Sequence, residues 1–223
     1  MAHATLDRPS FDPFPNGPKA PSIFSGSEYD RRLNDLRGIM AAHDLDAVVL
    51  TSMHGVHYHS GFLYCSFGRQ YACVVTKGAS TTVSAGIDAG QPGRRSHGDN
   101  LVYTDWQRDN FQRAVASLVG NAKRVGIEGD HLTIAARAAL QAVMTGVEFV
   151  DVAPDAMRAR MIKSDEEIAL IREGARIADH GGEAVRDAIR VGTREIDVAM
   201  AGRDAMELEI ARAPPDSEIR DSG

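Results

Sequence analysis

Apolar residues recur at helical spacing between Ser27 and His43. Tyr29, Leu33, Leu36, Ile39 and Met40 share a face there, and Ser27 with Asp30 is placed to cap the start. The period then changes. Asp46–Leu50 (DAVVL) is a short β-branched run, and similar runs follow at residues 70–75, 81–85, 101–104, 124–128 and 148–152. Helical patterns over 109–119 and 133–144 separate the later runs. Strands alternating with helices predict an α/β domain over residues 25–160, with a largely parallel or mixed sheet covered by helices. Residues 1–24 carry Pro, Gly, Asp and Lys without periodicity and read as a loose N-terminal arm.

Beyond about Met157 the strand signal stops and helix takes over. Ser164 and Glu167 form the S-x-x-E capping signature, after which Ile168, Ile171, Ala175 and Ala178 fall on one face. A second helix opens at Gly192-Thr193, with Ile196, Met200 and Ile210 among its apolar positions, and Ala213-Pro214-Pro215 ends it. Two helices after a complete α/β domain read as the opening of a second, unfinished domain over 161–223. Their apolar residues, among them Ile171, Val185, Ile189 and Leu208, need a surface to pack on.

Composition narrows the function classes. With 43% hydrophobic and 25% charged residues in 223, the chain is of ordinary globular type, and no segment has the sustained apolar run of a membrane span. The net charge of −6, with bases scattered among acids, argues against a nucleic-acid partner. Met1–Pro21 has no apolar stretch fitting a secretory signal, and Cys65 and Cys73 make neither a C-x-x-C pair nor a disulfide framework. A reducing cytoplasm is the simplest setting. His54, His57 and His59 form an H-x-x-H-x-H cluster, but on a helix His59 leaves the face shared by the other two, and no carboxylate or thiolate completes a metal site. These histidines read as structural or solvent-facing.

Specific strings carry more information. Phe62–Arg69 (FLYCSFGR), Ile87–Pro92 (IDAGQP), Tyr103–Asn110 (YTDWQRDN), Ile127–Leu132 (IEGDHL), Met157–Ser164 (MRARMIKS) and Gly174–Asp179 (GARIAD) resemble, in the same order, strings of the creatinases (creatine amidinohydrolases), within the wider pita-bread family. The likeness runs from about Ser25 to Ala211. The Arg160–Ser164 (RMIKS) junction resembles one general to the wider family, whereas FLYCSFGR and YTDWQRDN are particular to the creatinase branch.

The resemblance implies a creatinase N-terminal-type α/β domain followed by the first helices of a pita-bread (α+β) domain. It implies hydrolysis of creatine, or a similar small guanidino acid, to sarcosine and urea in a cytoplasmic homodimer, with neither metal nor organic cofactor. In creatinases the N-terminal domain of one subunit reaches into its neighbour's active site to hold the substrate carboxylate, and the matching positions here are Phe67 and Arg69. A guanidinium offers a planar fork for a carboxylate, an adjacent aromatic shapes the pocket, and Gly68 between them eases the turn. The resemblance places the catalytic histidine and glutamates past residue 223, so this chain alone is expected to be inactive. Asp105, Trp106, Arg108 and Asp109 form a polar cluster that could be a lip over the neighbouring site or simply a helix start. His180 matches an apolar position of the family and reads as inert. Two other classes remain open: a non-catalytic dimerisation module or decayed fragment, and a relative acting on another amidine or, like the Xaa-Pro peptidases, on a dipeptide-like substrate.

Overall fold

Four short β-branched segments, AVVL, ACVVT, STTVSA and RVGI, are buried along nearly their whole length, as strands covered on both faces must be. They form the centre of a seven-stranded mixed sheet in a computed structural model that describes residues 11–13, 17–64, 68–88, 91–104 and 109–212. In chain order the strands are β1 (Phe11–Pro13), β2 (Ala47–Leu50), β3 (Ala72–Thr76), β4 (Ser80–Ala85), β5 (Asp99–Tyr103), β6 (Arg124–Ile127) and β7 (Glu148–Asp151). Their spatial order is β1-β5-β4-β3-β2-β6-β7. β2, β3 and β4 run antiparallel in succession, while β4–β5, β2–β6 and β6–β7 are parallel. The expected α/β fold with a mixed sheet is what the chain adopts.

The helices are α1 (Gly26–Ala42), α2 (Met53–Ser60), α3 (Gln91–Arg95), α4 (Asn110–Val119), α5 (Ile134–Val143), α6 (Ala153–Met161), α7 (Asp165–Ala188) and α8 (Glu195–Arg212). The chain divides into two compact units, Met1–Met161 and Ile162–Gly223. In the first, Leu33, Leu36 and Met40 of α1 join the β2 and β3 valines in a core that also takes Val115 of α4 and Leu140 of α5. In the second, α7 opens on a complete capping box: Ser164 Oγ accepts from Glu167 N at 3.2 Å, and Glu167 Oε2 accepts from Ser164 N at 2.8 Å. Glycines bring α7 and α8 together, because a Cβ on Gly181 would lie 2.5 Å from Met206 Cγ and one on Gly202 would lie 2.5 Å from Val185 Cγ2. Arg176 of α7 pairs with Glu209 of α8 at 2.6 Å. Ile171, Ile189, Ile196 and Leu208 stay exposed on this unit.

Several sequence expectations need correction. The N-cap of α1 is Ser25, whose side chain accepts from Glu28 N, and not Ser27. The stretch read as a loose arm is tied down where it is described. Phe11–Pro13 pairs with β5, Ala20 N donates to Arg94 O, and the Lys19 ammonium donates to the carbonyls of Gly93, Ser96 and Gly98. A proline is tolerated there because β1 is an edge strand. α2 and α3 were not foreseen, and α8 begins at Glu195, two residues past the expected opening. The proline stop at 213–215 lies outside the described residues.

α2 is held by α1 through a buried cation. Arg32 donates to Glu28 Oε1 at 2.7 Å and to the Tyr58 carbonyl at 3.1 Å, and its guanidinium lies over the Phe24 and Tyr58 rings at 4.0 and 4.2 Å. Hydrogen bonds from Arg31, then from Arg32, hold the Glu28 carboxyl down at about 2. His59, on the same helix, is buried with Nδ1 2.9 Å from the Gly55 carbonyl. Burial pulls its imidazole down to about 4 from an ordinary 6.5.

A depressed histidine disfavours the folded state in acid. Stability should be complete above pH 6.5 and fall as the pH drops from 6.5 towards 4, where the unfolded chain binds the proton that buried His59 refuses. The full loss is about 3 kcal/mol. Urea unfolding at stepped pH should show this limb, and His59→Gln should flatten it while keeping the further loss below pH 4.5 that belongs to Glu28. An unchanged slope in the variant would exclude His59 as its source.

Candidate functional site

Thr51 directly follows β2, and Glu128 directly follows the parallel strand β6. Both chain segments therefore emerge at the same edge of the sheet, and a buried carboxylate joins them. Glu128 Oε2 accepts from the backbone N–H groups of Thr51 and Ser52 at 2.7 and 2.8 Å, and Ser52 Oγ donates to Glu128 Oε1 at 2.5 Å. Ser52 is also the N-cap of α2, its Oγ accepting from Gly55 N at 2.8 Å. An anion at the start of a helix is favoured by the free N–H groups there. Gly55 is required by this contact: a Cβ on it would stand 2.3 Å from Glu128 Oε1.

From this corner the site builds outward. The Tyr64 hydroxyl donates to the Thr51 carbonyl at 2.7 Å, and its ring stacks on Tyr71 at 4.5 Å between centroids. Burial, with Glu128 nearby, raises the Tyr64 phenol to about 12, so it stays a donor. The Tyr71 hydroxyl donates to Asp88. Gln70 is held from two sides, its backbone N–H donating to the Tyr103 hydroxyl and its side-chain carbonyl accepting from Gln112 Nε2, each at 3.2 Å. Together these groups enclose a cleft of about 290 Å³, walled by Tyr64, Tyr71 and Phe111, with Thr51, Gln112 and Arg69 also facing it. His131 and Thr133, at the start of α5, close the far side. The cleft thus lies at the carboxyl ends of β2 and β6, where the chain leaves β2 towards β3 on one side and β6 towards β7 on the other. Open α/β sheets place ligand sites at such positions.

Of the two residues the sequence singled out for substrate, Arg69 is exposed and lines this cleft. Phe67 lies outside the described residues, as do Cys65, Asp105, Trp106 and Arg108. Asp109 stands at the N-cap of α4 and pairs with Arg113 at 2.6 Å. His180 is exposed on α7. Among the described residues no group of three His, Cys, Asp or Glu side chains could hold a metal ion. Cys73 is a buried free thiol, raised by burial to about 11. Sequence reasoning missed Thr51, Gln112 and the organising role of Glu128. Glu128 lies in the IEGDHL string, and an acidic residue ending a β-branched strand was the available signal.

Replacing Gly55 by alanine should expel the Glu128 carboxylate from its three donors and lower stability by about 1–3 kcal/mol, measured by urea unfolding. A change within experimental error would show that the corner tolerates the methyl group.

The fold and cleft can be set beside known proteins. The profile of the Creatinase/Prolidase N-terminal domain matches residues 32–162. The creatinase of Bacillus sp. (strain B-0618) is 50% identical over 210 residues, which is 92% of this chain and 51% of that protein. Among solved structures, the prolidase of Pyrococcus horikoshii superposes with a TM-score of 0.67 at 23% identity, covering 80% of this chain and 49% of that one. The X-Pro aminopeptidase of Thermotoga maritima gives 0.67 at 17% identity, with 79% and 49% covered. Such identities speak for the fold alone. The chain spans about half the length of the curated relatives it matches. With its profile match, its mixed α/β sheet and half its residues shared with a creatinase, the chain belongs to the Creatinase/Prolidase N-terminal domain family.

Proposed function

We propose that this chain forms the N-terminal part of a creatinase-type hydrolase, acting on creatine or a similar small guanidino acid, and that it supplies the grip on the substrate carboxylate. The observation that carries the reading is the 50% identity to a creatinase, joined to an exposed arginine at the mouth of a cleft in the FLYCSFGR segment particular to that branch. Arg69 offers two parallel N–H donors to a carboxylate, and the creatinase resemblance assigns Phe67 to the same pocket. The two residues that follow Arg69 are anchored. Gln70 is pinned to β5 through Tyr103 and to α4 through Gln112, and Tyr71 is pinned to Asp88.

In this proposal the protein works as a cytoplasmic homodimer in which Phe67 and Arg69 serve the partner's active site. Residues 25–160 are the α/β domain, and 161–223 begin the catalytic domain. The guanidinium carbon of creatine is resonance-stabilised and water is a weak nucleophile, so hydrolysis needs a base for the water proton and an acid for the departing nitrogen. Those groups are assigned to the half of the relatives that this chain does not span.

Purified as these 223 residues, the chain should release no urea from creatine above a buffer control. Urea production that survives repeated purification would overturn the assignment of the catalytic groups. When the chain is joined to the second half that its relatives carry, Arg69→Ala should weaken substrate binding by about 2–5 kcal/mol while folding is retained. Mixing Arg69→Ala subunits with subunits lacking the catalytic histidine should restore activity, since one hybrid site then holds both groups. If subunits exchange and the mixture stays inactive, Arg69 does not act across the dimer.

A further inference from the structure

The peptide group that joins Arg69 to Gln70 is held from outside its own segment. Its N–H donates to the Tyr103 hydroxyl at 3.2 Å. A peptide is planar, so fixing that N–H also orients the Arg69 carbonyl and the Cα from which the guanidinium departs. The Gln70 side chain makes a second tie, its carbonyl accepting from Gln112 Nε2 at 3.2 Å. Tyr103 and Gln112 are buried, whereas Arg69 and Gln70 are exposed. Water could replace both partners of Gln70, so these bonds add little to stability. What they set is the course of the chain.

The two ties come from one block. Tyr103 ends β5, and Gln112 lies in the first turn of α4. The buried amide of Asn110 joins these elements, its Nδ2 donating to the Thr104 carbonyl at 2.7 Å and to the Thr104 hydroxyl at 3.0 Å. The Tyr103 ring meets Phe111 edge-on, with centroids 5.5 Å apart. β5 in turn runs parallel to β4, Tyr103 standing opposite Ala85. The block is thus part of the frame of the sheet, and two of its side chains reach across to the connection that carries Arg69. In the sequence, FLYCSFGR closes on Arg69 and YTDWQRDN opens on Tyr103. The fold joins the two strings through one hydrogen bond at the Arg69–Gln70 peptide.

We propose that Tyr103 and Gln112 are positioning residues for Arg69: acting through Gln70, they set the place and direction from which its guanidinium reaches a substrate carboxylate. The proposal rests on the reading of Arg69 as a carboxylate grip, and it adds the residues that aim that grip. A long side chain closes two parallel bonds on a carboxylate only when its Cα is correctly placed. A carboxylate remote from the reacting carbon is held equally in substrate and transition state, so loss of aim raises KM and leaves kcat.

The test uses the chain joined to the second half that its relatives carry, assayed for urea release from creatine. Tyr103→Phe and Gln112→Leu should each raise KM about three- to tenfold with kcat unchanged, the size of one uncharged hydrogen bond. In an Arg69→Ala background neither change should raise KM further, because a residue that acts through Arg69 then has nothing to place. A purely structural Tyr103 or Gln112 would add its effect in both backgrounds. In the 223-residue chain, hydrogen exchange of the Gln70 amide should quicken in Tyr103→Phe while the amides of β3 and β5 keep their rates, a readout that needs no activity. KM effects of equal size with and without Arg69, a fall in kcat in place of the rise in KM, or an unchanged Gln70 exchange rate overturns the proposal and leaves the grip standing. An unchanged KM in either single variant overturns it for that residue. An unchanged KM in Arg69→Ala overturns the grip, and the proposal with it. If Tyr103→Phe fails to fold, Gln112→Leu decides by the same comparison of KM with and without Arg69.

Discussion

The buried carboxylate of Glu128 ties three parts of the first unit to one point. Its oxygens take the two N–H groups that follow β2 and the hydroxyl that caps α2, while its own backbone ends β6. Removing a carboxylate from water is costly unless charge or hydrogen bonds compensate, and three donors at a helix start supply that compensation. The arrangement fixes where α2 departs, and with it the direction of the chain into residues 61–64. Tyr64 then reports the same anchor, since its hydroxyl is bonded to Thr51. The aromatic wall of the cleft is therefore held by a polar joint as well as by the apolar core, of which Tyr64, Tyr71 and Phe111 are members.

A second buried charge secures the opposite end of α2. Arg32 is desolvated against Phe24 and Tyr58 and neutralised by Glu28, so its burial depends on every partner being present. Glu28 is shared with Arg31, which is partly in solvent, and this sharing keeps the carboxylate ionised although it is buried. α2 thus lies between two carboxylates, Glu128 at its start and Glu28 acting through Arg32 at its end. One of its own histidines, His59, is buried and remains neutral.

These polar anchors explain what was legible in the sequence. Strands β2, β3 and β6 showed in β-branched runs because strands covered on both faces are apolar nearly throughout, and β4, β5 and β7 showed in shorter runs of the same type. α7 showed in the Ser164–Glu167 box, which is purely local. α2 did not show: Met53–Ser60 (MHGVHYHS) carries three histidines and a glycine, and its burial comes from tertiary bonds. β1 was missed because three residues at an edge, one of them proline, carry no periodic signal. The α1 cap was shifted because Ser25 and Ser27 both have a glutamate or aspartate three residues on, and only the backbone conformation selects between them. Arg69 was reached by resemblance. Thr51 and Gln112 were out of reach, since they come to one cleft only through the packing of β2 and α4.

The comparisons separate what the scaffold specifies from what the loops specify. Prolidase and aminopeptidase structures share this sheet at identities below 25%, so the sheet and its helices set no substrate. The segment between α2 and β3 is different in kind. It carries Arg69, Gln70 and Tyr71 on a connection whose course is dictated by side chains of β5, α4 and the 86–88 turn rather than by the ladder. Such a connection can change its chemistry without disturbing the core, as binding loops on rigid scaffolds generally do. A cleft that takes Arg69, Gln70 and Tyr71 from this connection is therefore a part of the domain whose chemistry can change while the sheet is kept.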